Sequence, residues 1–248
     1  MELPLELVNA LRLAQRVTVL TGAGVSQESG LRTFRDAQDG LWAQYRPEDL
    51  ATPQAFQRNP KLVWDWYAWR REKVCQAKPN PAHYALAAMA KRIPKFTLIT
   101  QNVDGLHQAA GSPRVIELHG NIRRVRCSVC AQVLSQWDQP PDDVPRCPSC
   151  NGLLRPDVVW FGETLPQAEL EAAFEAAQHC ELFFSIGTSG VVQPAASLAY
   201  FAQQHGARIV EINAEPTPLT PFADFALQGK AGEILPALVK SAFLAQIT

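Results

Sequence analysis

Two stretches near the middle of the chain carry side chains suited to holding a ligand: Gln101-Asn102-Val103-Asp104-Gly105-Leu106-His107 and Glu117-Leu118-His119-Gly120. The first follows Phe96-Thr97-Leu98-Ile99-Thr100, a short β-prone apolar run that reads as a buried strand. Amides and a carboxylate at the carboxyl end of a strand stand where open α/β sheets bind ligands. A second strand, Arg114 to Leu118, delivers His119, so Asn102, Asp104 and His119 face one crevice. Singly these are also residues of turns and caps, and His119 could be a satisfied core histidine. The pairing of the two stretches favours the ligand crevice.

A second constellation is Cys127-x2-Cys130 and Cys147-x2-Cys150, with sixteen residues between the pairs. Four thiolates at these spacings close a tetrahedral zinc site with no open position, which makes it structural. Disulfides are the alternative, disfavoured by the paired knuckles and by a reducing setting. The intervening segment is polar and ends Gln139-Pro140-Pro141-Asp142-Asp143, so it needs such a staple to order. Cys75 and Cys180 are expected in apolar surroundings, and Arg123, Arg124 and Arg126 on a solvated face.

A third feature is Thr21-Gly22-Ala23-Gly24-Val25-Ser26, directly after the strand Val17–Leu20. A strand, a Gly-rich turn and a helix start can offer backbone N–H groups to a pyrophosphate, with Gly22 and Gly24 letting the backbone approach it. As a dehydrogenase fingerprint the pattern fails, because Gln27 occupies the third glycine position.

The elements that carry these residues alternate. Helical spacing covers Leu3–Ala14, and Asn59-Pro60 opens an aromatic helix over Lys61–Gln76 on which Tyr67 and Arg70 share a face. Asn80-Pro81 opens another helix to Arg92. Residues 30–60 read as a ligand-covering loop with short helices, and Arg155–Glu163 as an apolar strip ending in glycine. Beyond it come a helix near Pro166–Gln178, a strand Glu181–Ile186 ending Gly187-Thr188-Ser189, and a helix near Pro194–His205. A strand Arg208–Ile212 ending Asn213-Ala214-Glu215, a strand near Phe225–Leu227 and a last helix Gly232–Ala245 complete the chain. Hydroxyls, an amide and a carboxylate at these strand ends suit ribose and adenine. The alternation predicts an α/β fold, a doubly wound, mostly parallel Rossmann-like sheet with the zinc ribbon inserted between its strands.

At 248 residues the chain can bury a substantial core. Its 47% hydrophobic and 19% charged content is that of a globular protein, and a net charge of −1 argues against a general nucleic-acid or membrane-surface binder. No signal peptide or membrane span is visible, so a cytoplasmic location is expected.

Taken together the motifs resemble the sirtuins, NAD-dependent protein-lysine deacylases. The resemblance rests on Gly22–Ser26, Thr33-Phe34-Arg35, Gln101–His107, His119-Gly120, the four paired cysteines, Val159-Trp160-Phe161-Gly162-Glu163, Gly187–Ser189 and Asn213–Glu215, in the family's order. One departure is Arg32-Thr33 where the family commonly has Pro-Asp. The resemblance implies NAD along the sheet's carboxyl edge, bound by Gly22, Ala23, Gly24, Ser26, Thr33, Phe34, Arg35, Trp42, Gln101, Asn102, Val103, Asp104, Gly187, Thr188, Ser189, Asn213, Ala214, Glu215 and Ala231. It implies a large domain of residues 1–40, 76–122 and 155–248, and a small domain of a helical module, 41–75, and a zinc module, 123–154, holding one structural Zn2+. An acyl-lysine protein or peptide would enter the cleft and add as a strand beside Val159–Glu163, with Val159, Phe161, Gly162 and Glu163 as its contacts. His119 would be the general base on a ribose hydroxyl, Asn102 would position ribose or water, Asp104 would hold the nicotinamide carboxamide, and Phe34 would shield the ribose. Nicotinamide, O-acyl-ADP-ribose and free lysine are the implied products, with no nucleic acid or membrane partner and a monomeric chain.

Tyr67-x-x-Arg70 resembles the sirtuin class that accepts succinyl and malonyl groups. A phenol and a guanidinium on one helix face can grip the carboxylate of such an acyl group, and small Ala37 leaves room for it. The alternatives are a deacetylase with Tyr67 and Arg70 as bystanders, a protein mono-ADP-ribosyltransferase, and a non-catalytic NAD-sensing or zinc-ribbon interaction module.

Overall fold

The computed structural model describes residues 3–31, 45–140 and 142–243. After helix α1 (Leu5–Leu13) the chain enters strand β1 (Arg16–Thr21), then a 3-10 helix over Ala23–Ser29. Three helices follow: α2 (Pro47–Leu50), α3 (Pro53–Arg58) and α4 (Pro60–Gln76). Helix α5 (Pro81–Ala90) leads into β2 (Lys95–Thr100), α6 (Leu106–Ala109) and β3 (Val115–Glu117). Strands β4 (Gly120–Cys127), β5 (Val133–Leu134) and β6 (Leu154–Val158) come next. Then α7 (Gln167–His179), β7 (Leu182–Ile186), α8 (Ser197–Gln204), β8 (Arg208–Asn213), β9 (Phe225–Gln228) and α9 (Ala231–Phe243) alternate to the end.

Six strands form one parallel sheet in the order β3-β2-β1-β7-β8-β9. The chain winds outward from β1 through β2 and β3 on one side and from β7 through β8 and β9 on the other. The β1–β7 junction is therefore the switch point, where the ends of neighbouring strands diverge and leave a crevice. Central strands read as unbroken apolar runs because helices cover both faces: all five residues of β7 are buried. One face packs Val17, Val19 and Leu98 against Leu7, Leu11, Leu86, Ile234 and Leu238 of α1, α5 and α9. The other packs Leu20, Ile99, Phe183 and Ile209 against Ala173, Ala177, Leu198 and Ala202 of α7 and α8. No helix among the described residues is long and apolar enough to cross a membrane.

A third core gathers Leu50, Phe56, Val63, Trp64, Trp66 and Tyr67 of the α2–α4 segment with Ile122, Val125, Cys127, Cys147, Leu154 and Trp160. Its framework is the antiparallel sheet β5-β4-β6. The expected caps are in place: the Asn59 side chain accepts from Leu62 N–H, with Pro60 opening α4, and the Asn80 side chain accepts from Ala82 N–H, with Pro81 opening α5. Helix α8 begins at Ser197, later than the expected Pro194. The segment before it holds turns, and Pro194 has no N–H to give a helical ladder.

Two expectations fail. Cys75 is exposed, because consecutive helical residues point about 100° apart and Val74 takes the buried position. Arg123, Arg124 and Arg126 are not a solvated face. Arg124 bridges Glu117 at 2.8 Å and Asp157 at 2.9 Å, and Arg126 meets Asp157 at 3.0 Å. Arg123 donates to the backbone carbonyls of Asp104 and Val74, at 2.8 and 3.2 Å.

Candidate active site

The turn after β1 is built against the neighbouring strand end. Gly22 N–H donates to Ile186 O and Gly24 N–H to Gly187 O. A Cβ on Gly22 would stand 2.6 Å from Gly187 O, and one on Gly24 would stand 2.7 Å from Gly187 Cα. Gly187 itself has φ +60, and its own Cβ would lie 2.5 Å from Val25 N. These glycines are thus required first by the interlocking of two loops at the switch point. The sharp turn and ligand approach read from the sequence therefore include an interlock with Gly187, from which the room for a ligand follows.

Ser26 is the hub of the crevice. Its hydroxyl donates to Asp104 Oδ2 at 2.8 Å and accepts from Asn102 Nδ2 at 3.2 Å. His83 Nδ1 accepts from Asn80 N–H, so its hydrogen sits on Nε2, which faces Ser26 Oγ at 3.5 Å. Asn102 also donates to Gly22 O at 3.0 Å, and Asp104 Oδ1 accepts from Leu106 N–H at 2.8 Å. Asn102 and Asp104 are both buried, and the bonds lock their rotamers. Beneath them His107 Nε2 meets Thr21 Oγ1 at 2.9 Å, and the His83 and His107 rings lie 4.8 Å apart. Burial lowers both histidine pKa values, that of His107 to about 3, with the neighbouring His83 adding to the effect. Both are neutral members of a polar core.

His119 lies beside this network, half-buried, with Nδ1 at 2.9 Å from Gln101 O. A carbonyl only accepts, so Nδ1 carries the hydrogen and Nε2 keeps its lone pair. Burial lowers the pKa of His119, and the bond to Gln101 opposes this in part. At neutral pH the ring is a free base of fixed tautomer. The same residue ties two segments together, since Val159 N–H donates to His119 O at 3.0 Å.

The strip Val159–Glu163 is a turn more than a strand: Glu163 N–H bonds Trp160 O, and Gly162 has φ +86. Phe161 N–H is taken by Ala51 O, and Trp160 N–H by Glu163 Oε2. Within the strip only Gly162 N–H has no such bond to a described residue. Phe161 is 58% exposed, and Val191 and Val192, after β7, are also exposed apolar residues. An open groove of about 820 Å³ runs past Val159, Gly162 and Glu163, walled by Arg124, Arg126 and Asp157.

On α4 Tyr67 is buried, and its hydroxyl accepts from Trp160 Nε1 at 3.0 Å. Arg70 is half-buried, with its guanidinium carbon 5.6 Å from the Trp66 ring centroid and the Tyr67 hydroxyl and Asp104 carboxylate within electrostatic reach. Burial pulls the Arg70 pKa down and pushes that of Tyr67 up, so the phenol stays protonated.

At the far end of the crevice Thr188 is buried, bonded to Ser185 at 3.0 Å, and Asn213 Nδ2 donates to Thr188 O at 2.7 Å. Ser189, Ala214 and Glu215 are exposed, and Ala231 is buried at the first turn of α9. Ala23, Gln101 and Val103 are half-buried at their strand ends. Thr33, Phe34, Arg35, Ala37 and Trp42 lie outside the described residues.

The four paired cysteines meet. Their sulfurs lie within 4.8 Å of one another, Cys127–Cys150 at 3.4 Å and Cys130–Cys147 at 3.7 Å, all as free thiols. Tetrahedral zinc at about 2.3 Å from each sulfur sets sulfurs about 3.8 Å apart, so the residues fit the ion. Each knuckle is followed by a left-handed residue, Ala131 and Asn151, both with φ 59. Val129 and Cys130 N–H point at Cys127 Sγ from 3.4 and 3.5 Å, as ligands to a cation require of their surroundings.

Several residues of the site are not evident from spacing. His83 and Asn80 look like helix-cap residues, and are, but they also hold Ser26 and the Val25 carbonyl. Arg71 donates to Ile122 O at 2.7 Å while its guanidinium lies over Trp64 and Trp137. The aromatic excess in α4 was the available signal for that cluster.

Residues 22–194 match the family described as the Sir2 family. An NAD-dependent protein deacylase of Pyrococcus furiosus is 53% identical over 95% of this chain and 96% of its own. A Sir2 homologue solved as its NAD complex superposes with a TM-score of 0.92 at 48% identity, over 98% of this chain and 95% of that one. A Sir2 protein bound to an acetylated peptide gives 0.84 at 31% identity, over 95% and 96%. On this agreement of sequence, fold and strand-end residues, the chain belongs to the Sir2 family.

Proposed function

We propose that this chain removes succinyl and malonyl groups, and also acetyl groups, from protein lysines using NAD. At the coarser level it is an NAD-dependent protein deacylase of the Sir2 family, in line with relatives at about half identity over nearly its whole length. The donor set fits the cofactor, since hydroxyls and carboxamides line the sheet edge on both sides of the switch point. On the same reading residues 1–40, 76–122 and 155–248 form the NAD-binding domain and 41–75 with 123–154 the small domain. Zn2+ is held by Cys127, Cys130, Cys147 and Cys150 and stabilises the small module. The enzyme acts as a cytoplasmic monomer.

When bound, NAD would supply an electrophilic ribose carbon and nicotinamide as its leaving group. Asp104, fixed by Ser26 and Leu106 N–H, holds the nicotinamide carboxamide. Asn102 orients ribose or water. His119 Nε2 would take the proton of a ribose hydroxyl, and its fixed tautomer and lowered pKa suit that role. The cofactor also contacts Thr33, Phe34, Arg35 and Trp42 in the covering loop, and Ser189, Ala214, Glu215 and Ala231 at the far edge. A substrate peptide lies against Val159, Phe161, Gly162 and Glu163, its acyl-lysine directed to the crevice.

The observation that carries the acyl preference is Arg70, a half-buried cation on the same helix face as the Tyr67 phenol and within electrostatic reach of Asp104. A succinyl or malonyl carboxylate offers this pair a charge-assisted bond that an acetyl group lacks. The test compares kcat/KM on one peptide bearing succinyl-lysine or acetyl-lysine, for the parent and Arg70→Met. Desuccinylation falling by about 10²-fold with deacetylation retained supports the reading. Equal changes in both make the enzyme a general deacetylase.

A further inference from the structure

We propose that Trp160 is a specificity-determining positioning residue: its indole N–H fixes the Tyr67 hydroxyl so that the phenol's hydrogen points at the acyl carboxylate. This rests on the reading of Tyr67 and Arg70 as the acyl-carboxylate pair.

Indole nitrogen donates and never accepts, so in the 3.0 Å contact between Trp160 Nε1 and Tyr67 Oη the phenol is the acceptor. A phenol hydrogen lies near the ring plane and has two positions. The indole hydrogen occupies the direction of one, so the phenol hydrogen takes the other. Among the described residues that hydrogen has no acceptor. Burial raises the Tyr67 pKa, so the hydroxyl is a donor at any physiological pH. A carboxylate only accepts, and is matched to this presentation; a methyl group gains nothing from it.

The indole can impose this direction because it is itself immobilised. Trp160 is 3% exposed, and the Arg155 guanidinium carbon lies 3.4 Å from its ring centroid. Arg155 holds Glu163 through both nitrogens, at 2.5 and 2.8 Å, and Glu163 Oε2 accepts Trp160 N–H at 2.8 Å. Phe56 packs on the other ring contact, 5.4 Å between centroids. The strip that carries the substrate-facing Phe161 and Gly162 therefore also sets the polarity of the acyl pocket.

Trp160→Phe keeps an aromatic ring and removes the N–H, which frees the phenol hydrogen to turn. The intact enzyme is assayed with NAD on the succinyl and acetyl peptides, as parent, Trp160→Phe, Tyr67→Phe and the double variant. The ratio of the two kcat/KM values is the readout, because partial unfolding lowers both and leaves it unchanged. Trp160→Phe lowers the succinyl-to-acetyl ratio about tenfold, chiefly through the succinyl KM. In the Tyr67→Phe background the same change moves the ratio by less than about twofold. A ratio unmoved by Trp160→Phe, or an equal fall in both backgrounds, overturns the proposal. Arg70→Met reports separately on the underlying reading. If it lowers the ratio while Trp160→Phe does not, the acidic-acyl reading stands and the role of Trp160 falls. If it leaves the ratio at the parent's value, the reading and the role fall together.

Discussion

Ser26 and Asp104 are joined by a 2.8 Å hydrogen bond that ties the turn after β1 to the loop after β2. The same hydroxyl accepts the Asn102 amide, so one small side chain orders two residues assigned to the cofactor. Ser26→Ala leaves a buried carboxylate oxygen and a buried amide hydrogen each short of a partner. A hydrogen bond to a charged group contributes roughly 1.5–3 kcal/mol, so kcat/KM for NAD falls by about 10- to 100-fold. Initial rates at varied NAD check this; a change within about twofold would show that the two residues are held without Ser26.

On the proposed assignment of His119 as the base, it acts only as the neutral imidazole. Its folded pKa lies below the ordinary histidine value of 6.5, so the acid limb of kcat/KM against pH lies below 6.5 and activity is flat through neutrality. His119→Ala lowers kcat by about 10²-fold or more and abolishes that limb. A limb above pH 7 in the parent would assign the base to another group.

The buried histidines make acid stability a separate matter from acid activity. His107 has its folded pKa lowered to about 3, against 6.5 unperturbed, so between those values the unfolded chain binds more protons than the folded one. Stability from keeping this ring neutral is therefore complete above pH 6.5 and is lost as pH falls toward 3. Thermal melts from pH 7 to 4.5 show a falling Tm, and His107→Gln flattens the slope. A slope unchanged in that variant would point to carboxylates alone.

Zinc removal reaches the crevice through packing. Cys127 and Cys147 share a core with Trp64 and Tyr67, and Trp137 of the zinc module lies against Arg71, which holds Ile122 O. A chelator applied under conditions that open the module releases about one zinc per chain, lowers Tm and lowers deacylation together. Metal analysis of Cys147→Ser, with zinc below about half occupancy, checks the ligand set. Full occupancy in that variant, or full activity without metal, contradicts a structural zinc.

Much of this was legible in the sequence, for identifiable reasons. Strands β1, β2, β7 and β8 are covered on both faces and so appear as apolar runs, and their polar ends stand out against them. Asn59 and Asn80 followed by proline mark helix starts through local chemistry alone. The paired cysteines are local in the same sense. What escaped depends on distant partners: Tyr67 and Trp160 are 93 residues apart. Arg123, Arg124 and Arg126 looked like surface because their acceptors, Asp104, Glu117 and Asp157, come from other segments. Gly22 and Gly24 read as a sharp turn open to a ligand, and their interlock with the opposing loop stayed hidden because Gly187 lies far along the chain.

That interlocking of Gly24 with Gly187 bears on redesign. Each backbone fills the space a side chain of the other would need, so neither loop can drift in sequence while its counterpart stays fixed. The two segments form a single transplantable cassette. Grafting Gly22–Ser26 into another scaffold without Gly187-Thr188 would carry over the motif and lose its shape.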